Sequence, residues 1–294
     1  MITVDDALLR SWPLPRADAE GDKEARGETL VVAGSPEMPG AAWLAAIAAL
    51  RAGAGKLVVA TAASVAPGLA LRLPEARVIG VPETPRGGLA ADGAAVLERV
   101  LADADALLIG PGLQDAEGSL AFVRGCVAGA TKAGIVLDAA AMEAARSTRF
   151  ARAPLLTPHA GEMAHLSGLD KDEVLREPER TARAMAERWH AVVALKGART
   201  FIAAPDGRLW RHDGGSVGLA TSGSGDTLAG IAAGLAARGA SLEQAAVWAV
   251  VLHARAGDAL SRRVGPLGYL ASELPGEIPA LMHRLAGGAG AADA

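Results

Sequence analysis

The chain has 294 residues, 51% of them hydrophobic and 21% charged, with a formal net charge of −4. That length and apolar content suffice for one large core or two modest ones and exclude a disordered chain. The acidic balance, with no basic stripe, excludes a nucleic-acid surface, although a local cradle for a small anion does not need a basic whole.

Taken in chain order, residues 1–27 are polar and proline-containing and read as a lead-in rather than a domain. MITVDDALLRSWPLP has early acids and no long apolar run, so it does not read as a secretory signal. Strands are predicted at 29–34 (TLVVAG), 56–61 (KLVVAT), 106–112 (ALLIGPG), 134–139 (GIVLDA), 154–158 (PLLTP) and 191–197 (AVVALKG). Between them lie AAWLAAIAALRAG, DGAAVLERVLADA, SLAFVRGCVAGATKA and EVLREPERTARAMAERW, each with helical length and an apolar face. Continuous apolar strands alternating with helices imply a mostly parallel sheet covered on both faces. FIAAPDG and RLWRHDGG then read as an antiparallel hairpin about Pro205-Asp206-Gly207. Three helices follow, near 224–237, 242–263 and 270–285, and the tail 286–294 reads as flexible. One α/β domain over 28–285 is the simplest division. The apolar segments are broken by Arg51 or His253 before they reach membrane-spanning length. The single cysteine, Cys126, rules out an internal disulfide, points to a reducing cytoplasm and reads as a small buried hydrophobe.

In open α/β sheets, ligands bind beyond the carboxyl ends of the strands. Gly34-Ser35, Gly110-Pro111-Gly112, Asp138, His159 to Glu162 and Lys196-Gly197 all fall at such ends. The run Ser222-Gly223-Ser224-Gly225-Asp226 opens a helix, whose free N–H groups and dipole suit an anion. The same spelling fits an ordinary N-cap by Ser224 or Asp226. It lacks the lysine of a Walker A loop, the third glycine of a dinucleotide fingerprint and the flanking glycines of a nucleophile elbow. If a phosphate does bind there, Asp226 is placed to take the proton of an attacking hydroxyl. Lys196 reads either as a phosphate contact or as a solvated strand-end lysine. Glu162 reads either as neutralising a helix start or as holding a metal-bound water, and His159 as a substrate contact or a structural residue. The five tryptophans are scattered and read as packing.

The ordered segments AGSPEMPGAAWLAAIAALRAGAGKLVVAT, IGPGL, VLDA, LLTPHAGE, LKGARTFIAAPDG and GLATSGSGDTLAGI resemble the NAD(P)H-hydrate dehydratase family over about residues 28–285. The resemblance implies a ribokinase-like three-layer sandwich. It also implies nucleotide-dependent repair of the S-epimer of hydrated NADH or NADPH: the ring hydroxyl is phosphorylated by ADP or ATP, and phosphate then leaves. By resemblance, Asp226 is the base. Ala41, Gly112 and His159 contact the hydrated dinucleotide. Lys196, Gly197, Ala198, Arg199 and Thr200, with Gly223, Ser224 and Gly225, hold the nucleotide, and Glu162 positions Mg²⁺ through water. A cytoplasmic homotetramer, and a separate epimerase in place of the N-terminal epimerase domain some members carry, are further expectations.

Two departures from the family pattern stand out. Ala140 takes the place of a second aspartate in L-D-A-D-A-L, and Gly214-Gly215-Ser216 takes the place of a T-G-N stretch. A vitamin-precursor kinase of the same fold is one rival, and His159 opposes it, because such kinases usually carry asparagine there. A non-catalytic nucleotide-binding regulator is the other, and the joint presence of Asp226, Lys196 and Glu162 opposes it, because a sensor needs no base.

Overall fold

The structure, a computed structural model, describes residues 1–16 and 22–286; all of the expected flexible tail except Ala286 lies outside them. Its strands are β1 (Ile2–Thr3), β2 (Glu28–Val32), β3 (Lys56–Ala62), β4 (Arg77–Val81), β5 (Ala106–Ile109), β6 (Gly134–Leu137), β7 (Leu155–Leu156), β8 (Val192–Leu195), β9 (Arg199–Ala203) and β10 (Leu209–Asp213). They form one ten-stranded sheet in the order β1-β10-β9-β8-β7-β6-β5-β2-β3-β4. All neighbours are parallel except β9, which runs antiparallel to both β8 and β10. This is the mostly parallel sheet with a hairpin at one side that the sequence implies.

Period-2 alternation divides the core between the two faces of the sheet. Val31, Leu108 and Val136 point to one face, where the helices Pro39–Arg51, Ser224–Ala237, Leu242–Arg263 and Leu274–Leu285 pack. Leu30, Val32, Leu107 and Ile109 point to the other, against Phe122, Met163 and Met185 of the helices Ala116–Gly129, Ala160–Ser167 and Pro178–Trp189. On the first face, helix packing is close enough to require glycine. A Cβ on Gly230 would stand 2.2 Å from the Ala45 carbonyl oxygen, and one on Gly234 2.3 Å from that of Ala49.

Local chemistry explains where observed elements differ from expected ones. The strands β5 to β8 end before their glycine, aspartate or lysine residues, so those residues form the loops above the sheet. Pro178 has no N–H to continue a helix, and EVLREPERTARAMAERW becomes Lys171–Arg176 and Pro178–Trp189. The predicted helix 270–285 is a short 3₁₀ turn, Ala271–Glu273, followed by Leu274–Leu285. β4 has no counterpart among the predicted strands: RVIGV is an edge strand with exposed Arg77 and Gly80, so its apolar signal is weak.

The lead-in is joined to the core. β1 pairs with β10, Val4 and Leu9 are buried, and Asp6 pairs with Arg255. The Trp12 ring stacks on Trp210 at 5.7 Å, and the Trp12 carbonyl accepts a hydrogen bond from Trp248 Nε1 at 2.9 Å. Cys126 is buried, and its thiol is pushed up to about 12 by burial, so it behaves as the small hydrophobe expected. No helix among the described residues is long and apolar enough to cross a membrane.

Candidate active site

The carboxyl ends of β6, β7 and β8 bring together residues from distant parts of the chain. Asp138 follows β6, Thr157 follows β7 and Lys196 follows β8. The Thr157 hydroxyl donates to Asp138 Oδ1 at 2.6 Å. Lys196 Nζ lies 3.5 Å from that same oxygen and 3.8 Å from Glu162 Oε2. Asp138 is nearly fully buried, so the lysine supplies the opposite charge that a buried carboxylate needs.

The backbone beneath this cluster has little latitude. Gly110 has φ +133°, and a Cβ there would stand 1.8 Å from the Asp138 carbonyl oxygen. Ala139, immediately after Asp138, is in the left-handed region at φ 46°, a conformation costing a non-glycine residue about 1–2 kcal/mol. Gly112 at φ +66° sits against Ala41, where a Cβ would meet that of Ala41 at 2.6 Å. Two of the expected substrate contacts, Ala41 and Gly112, therefore touch each other.

The helix Ser224–Ala237 begins with Gly223 at its N-cap, with φ 86° and no side-chain cap bond. The N-cap reading of Ser224 or Asp226 is thus corrected. Ser224 turns its hydroxyl to the buried His253, with Oγ 2.8 Å from Nε2. The start of this helix has no side-chain cap among the described residues, the condition an anion site needs. A Cβ on Gly225 would stand 3.3 Å from Lys196 Nζ, so the lysine lies directly beside the glycine turn. Asp226 is half-buried in the first turn. Burial raises its pKa to about 6, and Asp138 and Glu162 push in the same direction against Lys196.

His159 and Glu162 have a more structural geometry than expected. His159 Nδ1 accepts from the N–H groups of Gly161 (3.0 Å) and Glu162 (3.2 Å), while Glu162 Oε2 accepts from the His159 N–H at 2.8 Å. This reciprocal capping box starts the helix Ala160–Ser167. With Nδ1 accepting, the ring N–H is at Nε2, which lies 3.6 Å from Glu162 Oε2. The turn Gly197-Ala198 leads to Arg199, whose Nε lies 3.8 Å from Asp213 Oδ1, and to half-buried Thr200. Ser216 bonds Tyr269 through its hydroxyl at 2.6 Å. Ala140 lies half-buried on the 3₁₀ turn Ala139–Arg146.

Three members of the cluster carry little sequence signal of their role. VLDA places Asp138 at a strand end without saying what it pairs with, and Thr157 is one hydroxyl before a proline. Nothing local marks His253, which occupies the apolar middle of a 22-residue helix. Its buried ring titrates near 4, lowered by desolvation and by Lys196. An unfolded histidine titrates near 6.5, so the unfolded chain binds the extra proton first as pH falls. This group's stability contribution is therefore present above pH 6.5 and lost toward pH 4. We expect the urea midpoint of the unaltered protein to fall relative to that of His253→Gln across that window. Equal slopes for the two proteins would exclude His253 as a source.

A cavity of 840 Å³ at the opposite, amino-terminal end of the strands is lined by Arg124, Lys132 and Arg152 and contains none of these candidate residues.

The chain is similar to known proteins along most of its length. A family model described as NAD(P)H-hydrate dehydratase matches residues 29–280. An ADP-dependent (S)-NAD(P)H-hydrate dehydratase from Xanthomonas campestris is 49% identical over 96% of both chains. A bifunctional NAD(P)H-hydrate repair enzyme from Moorella thermoacetica is 40% identical over 95% of this chain, which spans about half (54%) of that longer protein. The crystal structure of the ADP/ATP-dependent NAD(P)H-hydrate dehydratase from Bacillus subtilis, co-crystallised with ATP and Mg²⁺, superposes with a TM-score of 0.83. It is 32% identical, with 96% of this chain and 97% of that one covered.

Proposed function

The chain belongs to the NAD(P)H-hydrate dehydratase family, and on that basis we infer that it returns the S-epimer of hydrated NADH or NADPH to the working dinucleotide, with ADP or ATP as phosphoryl donor. The observation that carries this is the 49% identity along nearly the whole of both chains to a dehydratase of that specificity. The vitamin-precursor kinase and the regulator are disfavoured by the same match.

The chemistry follows from the cluster. The ring hydroxyl of the hydrate attacks the terminal phosphate of the nucleotide, and Asp226 accepts its proton. The N–H groups of Gly223 and Gly225, on either side of a Ser224 N–H that donates to the Thr221 carbonyl, and the helix dipole hold the transferred phosphate, with Lys196 beside them. Attraction and repulsion thus act on different partners: backbone dipoles face the phosphate and the carboxylate faces the hydroxyl. Phosphate then departs with the hydroxyl oxygen, a proton leaves the adjoining ring carbon, and the double bond is restored. Ala41, Gly112 and the His159 ring contact the hydrated dinucleotide; Gly197 to Thr200 line the nucleotide.

Magnesium fits this donor set only as a water- and phosphate-held ion. Among the described residues, no three His, Cys, Asp or Glu side chains converge as a metal site. Glu162, half-buried beside Lys196, would hold a metal-bound water, in keeping with the preference of Mg²⁺ for few carboxylates. When bound, the ion would neutralise phosphate charge. A homotetramer, a cytoplasmic location, a separate epimerase supplying the S-epimer, and a single catalytic unit over 28–285 belong to the same proposal.

The test is to incubate the protein with hydrated NADH, Mg²⁺ and either ADP or ATP. Recovery of NADH absorbance is expected with at least one nucleotide, and no recovery with either overturns the reading.

A further inference from the structure

We propose that Asp138 is a positioning residue: clamped by Thr157, its carboxylate holds the Lys196 ammonium at the Gly225 side of the site and away from Asp226, so that Asp226 stays free to take a proton. This role rests on the assignment of Asp226 as the base.

The geometry carries it. Lys196 Nζ has three carboxylates around it, yet among the described residues only Asp138 (3.5 Å) and Glu162 (3.8 Å) lie within ion-pairing distance. Glu162 is already engaged in capping its own helix through the His159 N–H. Asp138 is the more deeply buried of the two, with its side chain 4% exposed against 24%. It is also the better fixed. Thr157 bonds the same oxygen that faces Lys196, the Asp138 N–H donates to the Ile109 carbonyl at 3.0 Å, and Ala139 is held in a left-handed conformation next to it. Conformational strain of this kind persists only where the surroundings over-determine it.

The charged and titratable groups facing Asp226 are Asp138 from the end of β6, Lys196 from the end of β8, and Glu162 from the helix Ala160–Ser167. His253, under Ser224, is neutral above about pH 4. With Asp138 neutralised, Lys196 keeps only Glu162, which already accepts from the His159 N–H, and Asp226 becomes the nearest carboxylate not yet paired with it. An ammonium drawn to Asp226 would hold the carboxylate in its charged form and weaken it as a base. Loss of the negative charge of Asp138 acts on Asp226 in the same direction.

The experiment is a double-mutant cycle of Asp138→Asn and Lys196→Met, read by kcat and by the acid limb of the kcat/KM profile. Asp138→Asn alone should lower kcat about tenfold and move the acid limb down by about one pH unit. In the Lys196→Met background the same change should cost at most about twofold. Equal fold-losses in both backgrounds, or an unmoved limb, overturn the proposal. Thr157→Val, which loosens the clamp and keeps the charge, should show a smaller loss with a limb shift in the same direction. It serves in place of Asp138→Asn if that variant does not fold. To separate this claim from the reaction itself, the Asp226 carboxyl is titrated by ¹³C NMR without substrate, assigned by its loss in Asp226→Asn. A titration midpoint that Asp138→Asn lowers further with Lys196 present than in the Lys196→Met background supports the positioning role whatever the wild-type turnover, and equal falls in both backgrounds, or none, overturn it.

Discussion

Asp226→Asn is expected to lower turnover of the hydrated dinucleotide by about 10²-fold or more, the scale of losing a general base, while nucleotide affinity stays near wild type. Asparagine keeps the size of the side chain and its place in the first helical turn but cannot accept the proton of the attacking hydroxyl. The same change should stabilise the protein at neutral pH. The native carboxyl titrates near 6 against an ordinary 3.8, chiefly because burial penalises its charge. Between those values the folded state binds the extra proton, so this group's contribution is fully present below 3.8 and lost as pH rises through 6. Relief of that penalty at pH 7 is on the order of 3 kcal/mol, at about 1.4 kcal/mol per pH unit. Urea unfolding should show a higher midpoint for the variant at pH 7 and little difference near pH 4. Turnover within a few-fold of wild type would remove Asp226 as the base. An unchanged midpoint at pH 7 would remove the desolvation account.

Gly230→Ala is expected to destabilise the protein markedly, although it adds a single methyl group. In an exposed helix, alanine in place of glycine would be favourable by about 1 kcal/mol. At Gly230 the added carbon would lie 2.2 Å from the Ala45 carbonyl oxygen and 2.8 Å from the Ala48 Cβ. The 2.2 Å contact is with backbone, so no rotamer change relieves it, and the helices Ser224–Ala237 and Pro39–Arg51 must move apart. Overpacking typically costs about 1–3 kcal/mol, so the net loss should reach about 2 kcal/mol or more. Activity should fall as well, because one of these helices opens on the glycine turn beside Asp226 and the other carries Ala41. Gly276→Ala is the control: it lies in the helix Leu274–Leu285 with nothing within 4 Å of an added Cβ, and should stabilise slightly. If Gly230→Ala unfolds at the same urea concentration as Gly276→Ala, close helix contact is not what that glycine provides.

Much of the architecture is legible in the sequence because burial on both faces writes itself into short apolar runs. TLVV, KLVVAT, ALLI and GIVL become β2, β3, β5 and β6, and the helices Ser224–Ala237 and Leu242–Arg263 have the expected ends. β4 and β1 leave little signal because edge strands need not be apolar, and a two-residue strand has no periodicity to detect. The glycine turn with Asp226 is legible as chemistry but ambiguous as structure, since a phosphate cradle and an N-cap share one spelling. Two tertiary facts remove the side-chain N-cap: Ser224 is committed to His253, and the helix start has no side-chain cap among the described residues.

By itself, then, the sequence determined the parallel sheet, its hairpin, and the set of polar residues gathered at the carboxyl ends of the strands. These follow from local rules, because strand periodicity, proline and glycine act within a few residues. Only the tertiary structure decided that Asp138 and Glu162, rather than Asp226, pair with Lys196, and that His253 meets Ser224 at the glycine turn. Those relations depend on distances between residues dozens of positions apart in the chain, and in a low-dielectric site such distances set how strongly each charge acts on its neighbours.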